Sequence, residues 1–301
     1  MNLIKPKRLK RGDTIGIVAT SGPVDIEKIH KAQAYLESIG YRVKLGSNIE
    51  KLHLGYLAGN DNERLEDLHN AFLNKDIDAI ICARGGYGAI RLVNKIDYKL
   101  IKNNPKIFCG FSDITALNAM LFSKSNLITF SGPMAQSDFC LDTVNKFTVE
   151  TFFKTLTQNK IELTAENPKI YSQGNANGIL IGGNLSTIAS LCGTDFIPNE
   201  KFIFFAEDLN EDTYKIDRYF SQLLNTDKFK NNLSAIVLGD FILNKDSCTL
   251  KDFFSELAIK LDIPIIGGFP ISHRLKKATV PYGAAARLEN ETIFIENFTS
   301  E

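Results

Sequence analysis

Serine, carboxylate and imidazole chemistry is available at three places in this chain. In "KIFCGFSDITALNAML" (106–121) a buried-strand pattern gives way to a helical one across Gly110, Phe111, Ser112 and Asp113. A serine hydroxyl becomes a nucleophile when a base takes its proton and oriented donors stabilise the oxyanion that forms. A sharp strand-to-helix turn serves both needs. It lifts Ser112 Oγ off the sheet and aims the free N–H groups of the new helix, that of Asp113 among them, at developing negative charge. The run lacks the second glycine of the G-x-S-x-G elbow, and Ser112 or Asp113 could equally serve as a helix cap.

A triad also needs a histidine and an acid. The chain has four histidines. His30 and His69 fall on helical patterns away from the apolar stripes, which predicts solvated positions, and His53 sits in a loop-like stretch. His273, in "IIGGFPISHRLKKATVPYG", follows an apolar strand and a Gly-Gly-Phe-Pro turn, at the carboxyl end of a strand where catalytic groups gather. "FIFFAEDLNEDTYKIDRYF" places Glu207 and Asp208 where another apolar strand ends, with Glu211 beyond. An acid there could orient an imidazole or simply complement a helix dipole.

In "ICARGGYGAIRL" the run Arg84, Gly85, Gly86, Tyr87, Gly88 follows a buried strand. Glycines there expose backbone N–H groups, as an oxyanion pocket requires. Neither the P-loop Gly-Lys-Ser/Thr nor G-x-G-x-x-G spacing is present, which disfavours a nucleotide phosphate.

These groups need a frame. The first half alternates apolar β-branched runs ("TIGIVAT", "YRVKLG", "IDAIICARGG", "PKIFCGF", "NLITFSGP") with helical stretches. Ile26, Ile29, Ala32, Leu36 and Ile39 mark one helix, ending at Gly40; Asn60 and Glu63 form a capping box ahead of Leu65, Leu68 and Phe72. Strand, helix, strand in repetition predicts an α/β fold with a doubly wound, mostly parallel sheet and ligands beyond its carboxyl edge. Residues 156–177 are polar and read as a linker. A second α/β domain follows through "GILIGGNLSTIASLCG", "KFIFFAED", "LSAIVLGDF" and a final strand near "ENETIFIE". The expected division is an N-terminal domain over 1–155 and a C-terminal domain over 178–301.

With 301 residues, 44% of them hydrophobic, the chain can bury substantial cores. Lys+Arg and Asp+Glu both number 35, so nothing favours a polyanionic partner such as nucleic acid. No apolar run of signal or bilayer length is present, which predicts a cytoplasmic protein without membrane association. Cys82, Cys109, Cys140, Cys192 and Cys248 are widely spaced, without any CxxC pair, and read as reduced core thiols.

Taken in order, "RGGYGA", "GFSD", "FSGPM", "GGNL", "EDLNEDTYKIDR" and "GFPISH…ATVPYGAAARL" resemble the LD-carboxypeptidase family of serine peptidases, from "GDTIGIVATSGP" nearly to the end of the chain. The resemblance implies Ser112 as nucleophile, His273 as base and then acid, Glu207 orienting it, and backbone N–H groups of Gly86 and Asp113 at the oxyanion; Glu207 is preferred to Glu211 as the acid nearest the strand end, a choice the resemblance itself leaves open. It further implies release of the terminal D-Ala from a cytoplasmic murein tetrapeptide, no metal or organic cofactor, and a homodimer. Arg84 could bind the substrate's terminal carboxylate or tie a loop to a neighbouring acid, and family position suggests Tyr87 and Asn184 as pocket residues. Relatives include microcin immunity peptidases, which cleave peptidyl-nucleotide toxins; that substrate calls for an aromatic such as Trp, and the chain has none. A non-catalytic small-ligand binder and a cysteine hydrolase using Cys109 are the remaining alternatives.

Overall fold

The computed structural model describes residues 2–140, 142–244 and 249–301, so Cys248 lies outside the described residues. Within them the chain builds a six-stranded and an eight-stranded sheet. The first is laid down by β1 (Thr14–Val18), α1 (Ile26–Ser38), β2 (Arg42–Leu45), α2 (Asp61–Leu73), β3 (Ala79–Cys82), α3 (Tyr98–Asn103), β4 (Ile107–Cys109), α4 (Thr115–Ser125) and β5 (Thr129–Ser131). The strands from β1 to β5 pair in parallel, in the order β5-β4-β3-β1-β2. β3 and β4 are buried along their whole length, as parallel strands covered by helices on both faces must be.

Local signals set the ends of these helices. Asp25 accepts from Glu27 N ahead of α1, and Gly40 takes φ +98° just beyond it. Asn60 and Glu63 form the full reciprocal capping box on α2. α4 differs from its neighbours. It buries Ala116, Leu117, Ala119, Met120, Leu121 and Phe122 all round its circumference, because it packs against strands of the first sheet, against β8 (Ala176–Asn184) and against α6 (Leu185–Ser190). Each such large apolar side chain contributes about 1.5–3 kcal/mol when fully buried. Ser112 lies just ahead of this helix, so the candidate nucleophile stands where the two halves meet.

After α5 (Lys146–Thr157) come β6 (Lys160–Thr164), β7 (Lys169–Ser172), β8 (Ala176–Asn184), α6 (Leu185–Ser190), β9 (Phe202–Glu211), α7 (Thr213–Leu224), α8 (Asp227–Asn232), β10 (Leu233–Leu243), α9 (Thr249–Leu261), β11 (Ile265–Gly267), β12 (Val280–Tyr282), β13 (Ala285–Glu289) and β14 (Thr292–Glu296). The second sheet runs β6-β14-β13-β8-β9-β10-β11-β7, with a parallel centre from β8 to β11 and antiparallel strands on either side.

Two expectations need correction. Residues 156–177 are not a free linker: they supply β6 and β7, the two edge strands of the second sheet. β6 alternates exposed and buried residues, the half-buried period that its short apolar segments concealed. Nor do residues 178–301 stay in one unit, since β12 returns to pair antiparallel with β5 at the edge of the first sheet. No described helix is long and apolar enough to cross a membrane.

Candidate active site

Ser112 sits beyond the carboxyl end of β4, half-buried, at φ +62°. That left-handed conformation is costly for a side chain bearing Cβ and tends to persist where function holds it. The turn is a single 3-10 step, Ser112–Ile114, leading into α4, and neither the turn nor α4 has a side-chain N-cap hydrogen bond. Asp113 points elsewhere: its Oδ2 accepts from Ser21 Oγ at 2.6 Å and from Ala89 N at 2.8 Å. Burial pushes its carboxyl above the usual range, opposed by those two donors and by Arg64.

The glycine run lies directly across from the serine. A Cβ placed on Gly85 would stand 2.9 Å from Ser112 Cβ, 3.0 Å from Ser112 Oγ and 3.6 Å from Asp113 N. Only a residue without Cβ allows this approach. The carbonyl of Gly85 accepts from Gly22 N at 3.1 Å. In a trans peptide the following N–H, that of Gly86, therefore points away from Gly22. Arg84 is half-buried; its Nη1 donates to Pro23 O at 3.1 Å, and its Nη2 would lie 3.7 Å from a Cβ on Gly86. It ties a loop through a carbonyl rather than through an acid. Tyr87 is 50% exposed and its ring centroid is 6.0 Å from that of Tyr56.

His273 and Glu207 come together from separate strands. His273 lies in the loop after β11, and its Nδ1 is 2.5 Å from Glu207 Oε2, with both side chains largely buried. Glu211, farther along β9, pairs instead with Lys215 at 3.1 Å. The loop is held at several points. Asp240 N donates to Ile271 O, Thr148 Oγ1 to Leu275 O, Lys277 N to Thr148 Oγ1, and Ala278 N to Pro270 O.

Contacts on both sides of Ser112 join the two halves. Phe111, the preceding residue, meets the His273 ring edge-on with centroids 5.0 Å apart. Thr115, three residues later, accepts through Oγ1 from Asn184 N at 3.2 Å. Asn184 is also the register partner of Glu207 across β8 and β9. The side chain of Asn184 is committed to this frame. It caps α6 by accepting from Thr187 N, and its Nδ2 donates to Asp208 Oδ1 at 2.8 Å.

Sequence patterns did not reveal the buried pair behind this loop. Lys277 Nζ lies 2.5 Å from Asp138 Oδ1, both side chains nearly inaccessible, and 4.2 Å from the centroid of the Phe111 ring. Lys277 stands in a basic, polar stretch with no apolar period, so only the fold turns it inward. Arg64 was missed too, although it occupies the buried face of α2 with Asp67, Leu68 and Ala71; a charged residue within an apolar stripe was the available signal. His69 is half-buried rather than solvated, accepting from Asp97 N at 3.1 Å. Cys82, Cys109, Cys140 and Cys192 are free thiols. Cys109 is fully enclosed in β4, and burial raises its thiol well above the ordinary value, which suppresses the thiolate a cysteine nucleophile needs. A cavity of about 940 Å³ has Arg274, the residue after His273, on its wall, but Ser112, Glu207 and His273 do not line it.

Known proteins share this arrangement of halves. Residues 15–132 match the LD-carboxypeptidase N-terminal domain and residues 177–288 the LD-carboxypeptidase C-terminal domain. A "Probable murein peptide carboxypeptidase" of Bacillus subtilis is 37% identical over 99% of this chain and 96% of its own length. The "Microcin C7 self-immunity protein MccF" of Escherichia coli is 30% identical over 94% of this chain and 93% of its own. The crystal structure of an "MccFlike protein" from Bacillus anthracis superposes with a TM-score of 0.90 at 29% identity, covering 98% of this chain and 99% of that one. The chain belongs to the LD-carboxypeptidase family and is a serine-type carboxypeptidase, a hydrolase.

Proposed function

We propose that this carboxypeptidase releases the terminal D-Ala of a murein tetrapeptide by cleaving the bond between the L-centre of the diamino acid and D-Ala, in cytoplasmic peptidoglycan recycling and as a homodimer. The observation that carries the catalytic assignment is the 2.5 Å contact between His273 Nδ1 and Glu207 Oε2, with the imidazole packed on the neighbour of Ser112.

The chemistry follows from those positions. His273 takes the Ser112 proton through its Nε2 as Oγ attacks the scissile carbonyl, while Glu207 fixes the tautomer and stabilises the imidazolium. The backbone N–H groups of Gly86 and Asp113 receive the oxyanion. Collapse breaks the C–N bond, and His273 returns the proton to the departing amine of D-Ala. Water, deprotonated by the same imidazole, then attacks the acyl-enzyme and restores the Ser112 hydroxyl. Arg84, with its guanidinium beside Gly86, provides the cation for the free terminal carboxylate, and Tyr87 flanks the entrance.

A second reading has its own support, in the similarity to the microcin immunity protein and to the MccF-like structure. It would place a peptidyl-nucleotide in the same site. The absence of Trp favours the murein peptide. Incubation with a tetrapeptide, its D,D-pentapeptide and a peptidyl-nucleotide, followed by mass spectrometry, separates the two. D-Ala should appear from the tetrapeptide alone and disappear with Ser112→Ala. Release from the pentapeptide, preference for the nucleotide, or full turnover by the alanine variant would reject the proposal.

A further inference from the structure

Two buried side chains of opposite charge grip the same two loops from either side. The Arg64 guanidinium is fully buried; its Nη1 donates to Thr20 O at 2.8 Å and to Gly88 O at 2.9 Å. The Asp113 carboxylate accepts from Ser21 Oγ and Ala89 N, the residues next along each loop. The cation thus takes the acceptors and the anion the donors of two adjacent residue pairs. Gly88 makes room for this, since at φ +129° a Cβ there would come within 2.7 Å of Arg64 Nη1. Asp61 Oδ1 balances the guanidinium from behind, accepting from Nη2 at 2.6 Å, and is itself held by Arg91 and Lys95.

Between these ties runs the glycine loop. It is fixed at Gly85 by Gly22, at Gly88 by Arg64 and at Ala89 by Asp113. Gly86 and Tyr87 lie between the fixed points. We infer that Arg64 and Asp113, through its side chain, are positioning residues that set the Gly86 N–H against Ser112, so that the residue following the nucleophile registers the oxyanion donor to it. Neither side chain touches the reacting atoms. A donor displaced from the oxyanion loses stabilisation of charge while ground-state binding of the peptide is unaffected.

The inference rests on Ser112 being the nucleophile and on Gly86 as an oxyanion donor, but not on the murein substrate. Its test therefore uses a substrate-independent probe: the second-order rate at which a fluorophosphonate labels Ser112, followed by intact-protein mass spectrometry, alongside kcat and KM for D-Ala release. Asp113→Ala should slow labelling by about 30–100-fold, short of the roughly 10²–10³ expected from deleting a donor outright, and lower kcat in parallel with KM unchanged. Asp113→Asn, whose one carbonyl oxygen can still accept both bonds, should recover most of the rate that Asp113→Ala loses. Ser21→Ala, which removes a single hydrogen bond, should slow labelling by about 3–10-fold. Wild-type labelling rates in folded Asp113→Ala or Ser21→Ala, or a raised KM at constant kcat, would overturn the inference. Labelled wild type that fails to release D-Ala would instead refute the substrate assignment and leave the clamp standing.

Discussion

The surroundings of Ser112 and those of His273 reach their geometry by different means. Ser112 is set by its own backbone at positive φ and by loops of the first half tied to one another through Arg64, Asp113 and Gly22. The His273 loop is set from outside. Thr148 and Asp138, both from the first half, hold Leu275 and Lys277, and the imidazole itself meets Glu207 and Phe111. On the proposed mechanism, charge stabilisation falls to loops tied to one another within the first half, whereas proton transfer depends on contacts between the two halves. The two regions should fail differently.

The largest effect should come from the proton-carrying side. Glu207→Gln should lower kcat for D-Ala release by roughly 10⁴-fold, as loss of the orienting acid does in such triads, whereas Glu211→Gln, already paired with Lys215, should stay within about threefold. Equal losses in steady-state assays would remove the distinction between the two acids.

Breaking the tie behind the loop is next. Lys277→Met leaves Asp138 buried without its cation, and removing one partner of such a pair costs about 3–5 kcal/mol. Urea unfolding of the single variant and of Lys277→Met with Asp138→Leu should show the double variant regaining much of that loss. An unchanged midpoint for Lys277→Met would mean the pair does not hold the halves together.

On the serine side, Gly85→Ala introduces a Cβ 3.0 Å from Ser112 Oγ. A displacement of this kind typically costs about 10²-fold in rate, and the thermal midpoint should move little. A large stability loss with intact specific activity would contradict the view of this loop as a frame for chemistry.

Asp61 offers the smallest test. Arg91, Lys95 and Arg64 hold its carboxyl well below the usual carboxylate range against the opposing effect of burial. Its stabilisation is therefore fully present above the unfolded value near 4 and lost as pH falls through the lower folded value. Asp61→Asn should cost about 2 kcal/mol at pH 7 and flatten the acid limb in unfolding experiments between about pH 4 and 2. A limb as steep as wild type would show that other groups carry it.

How much of this was visible beforehand depends on range. Strand-helix alternation, the Asn60 and Glu63 capping box and the turn before α4 are local patterns, and they read correctly from neighbours in sequence. The pairing of Glu207 with His273 spans 66 residues; only the ordered set of motifs pointed to it. β6 and β7 were hidden by polar composition, because an edge strand needs apolar residues on one face at most. The inward turn of Lys277 and of Arg64 depends on partners brought close by folding, Asp138 for one and Thr20 and Gly88 for the other. No window of sequence around Lys277 contains that information, and around Arg64 only its place within the apolar stripe hints at it.

The return of Val280–Tyr282 to the edge of the first sheet bears on how the protein is made. During synthesis the outer side of β5 stays uncovered until Val280–Tyr282 have left the ribosome, and an open strand edge is a template for unwanted pairing. By the time that edge closes, the imidazole has already emerged seven residues earlier in the sequence. The sheet that presents Ser112 is therefore sealed only after Glu207 and His273, the proposed partners of that serine, have been translated, which makes a truncated product a candidate for aggregation rather than a half-working hydrolase.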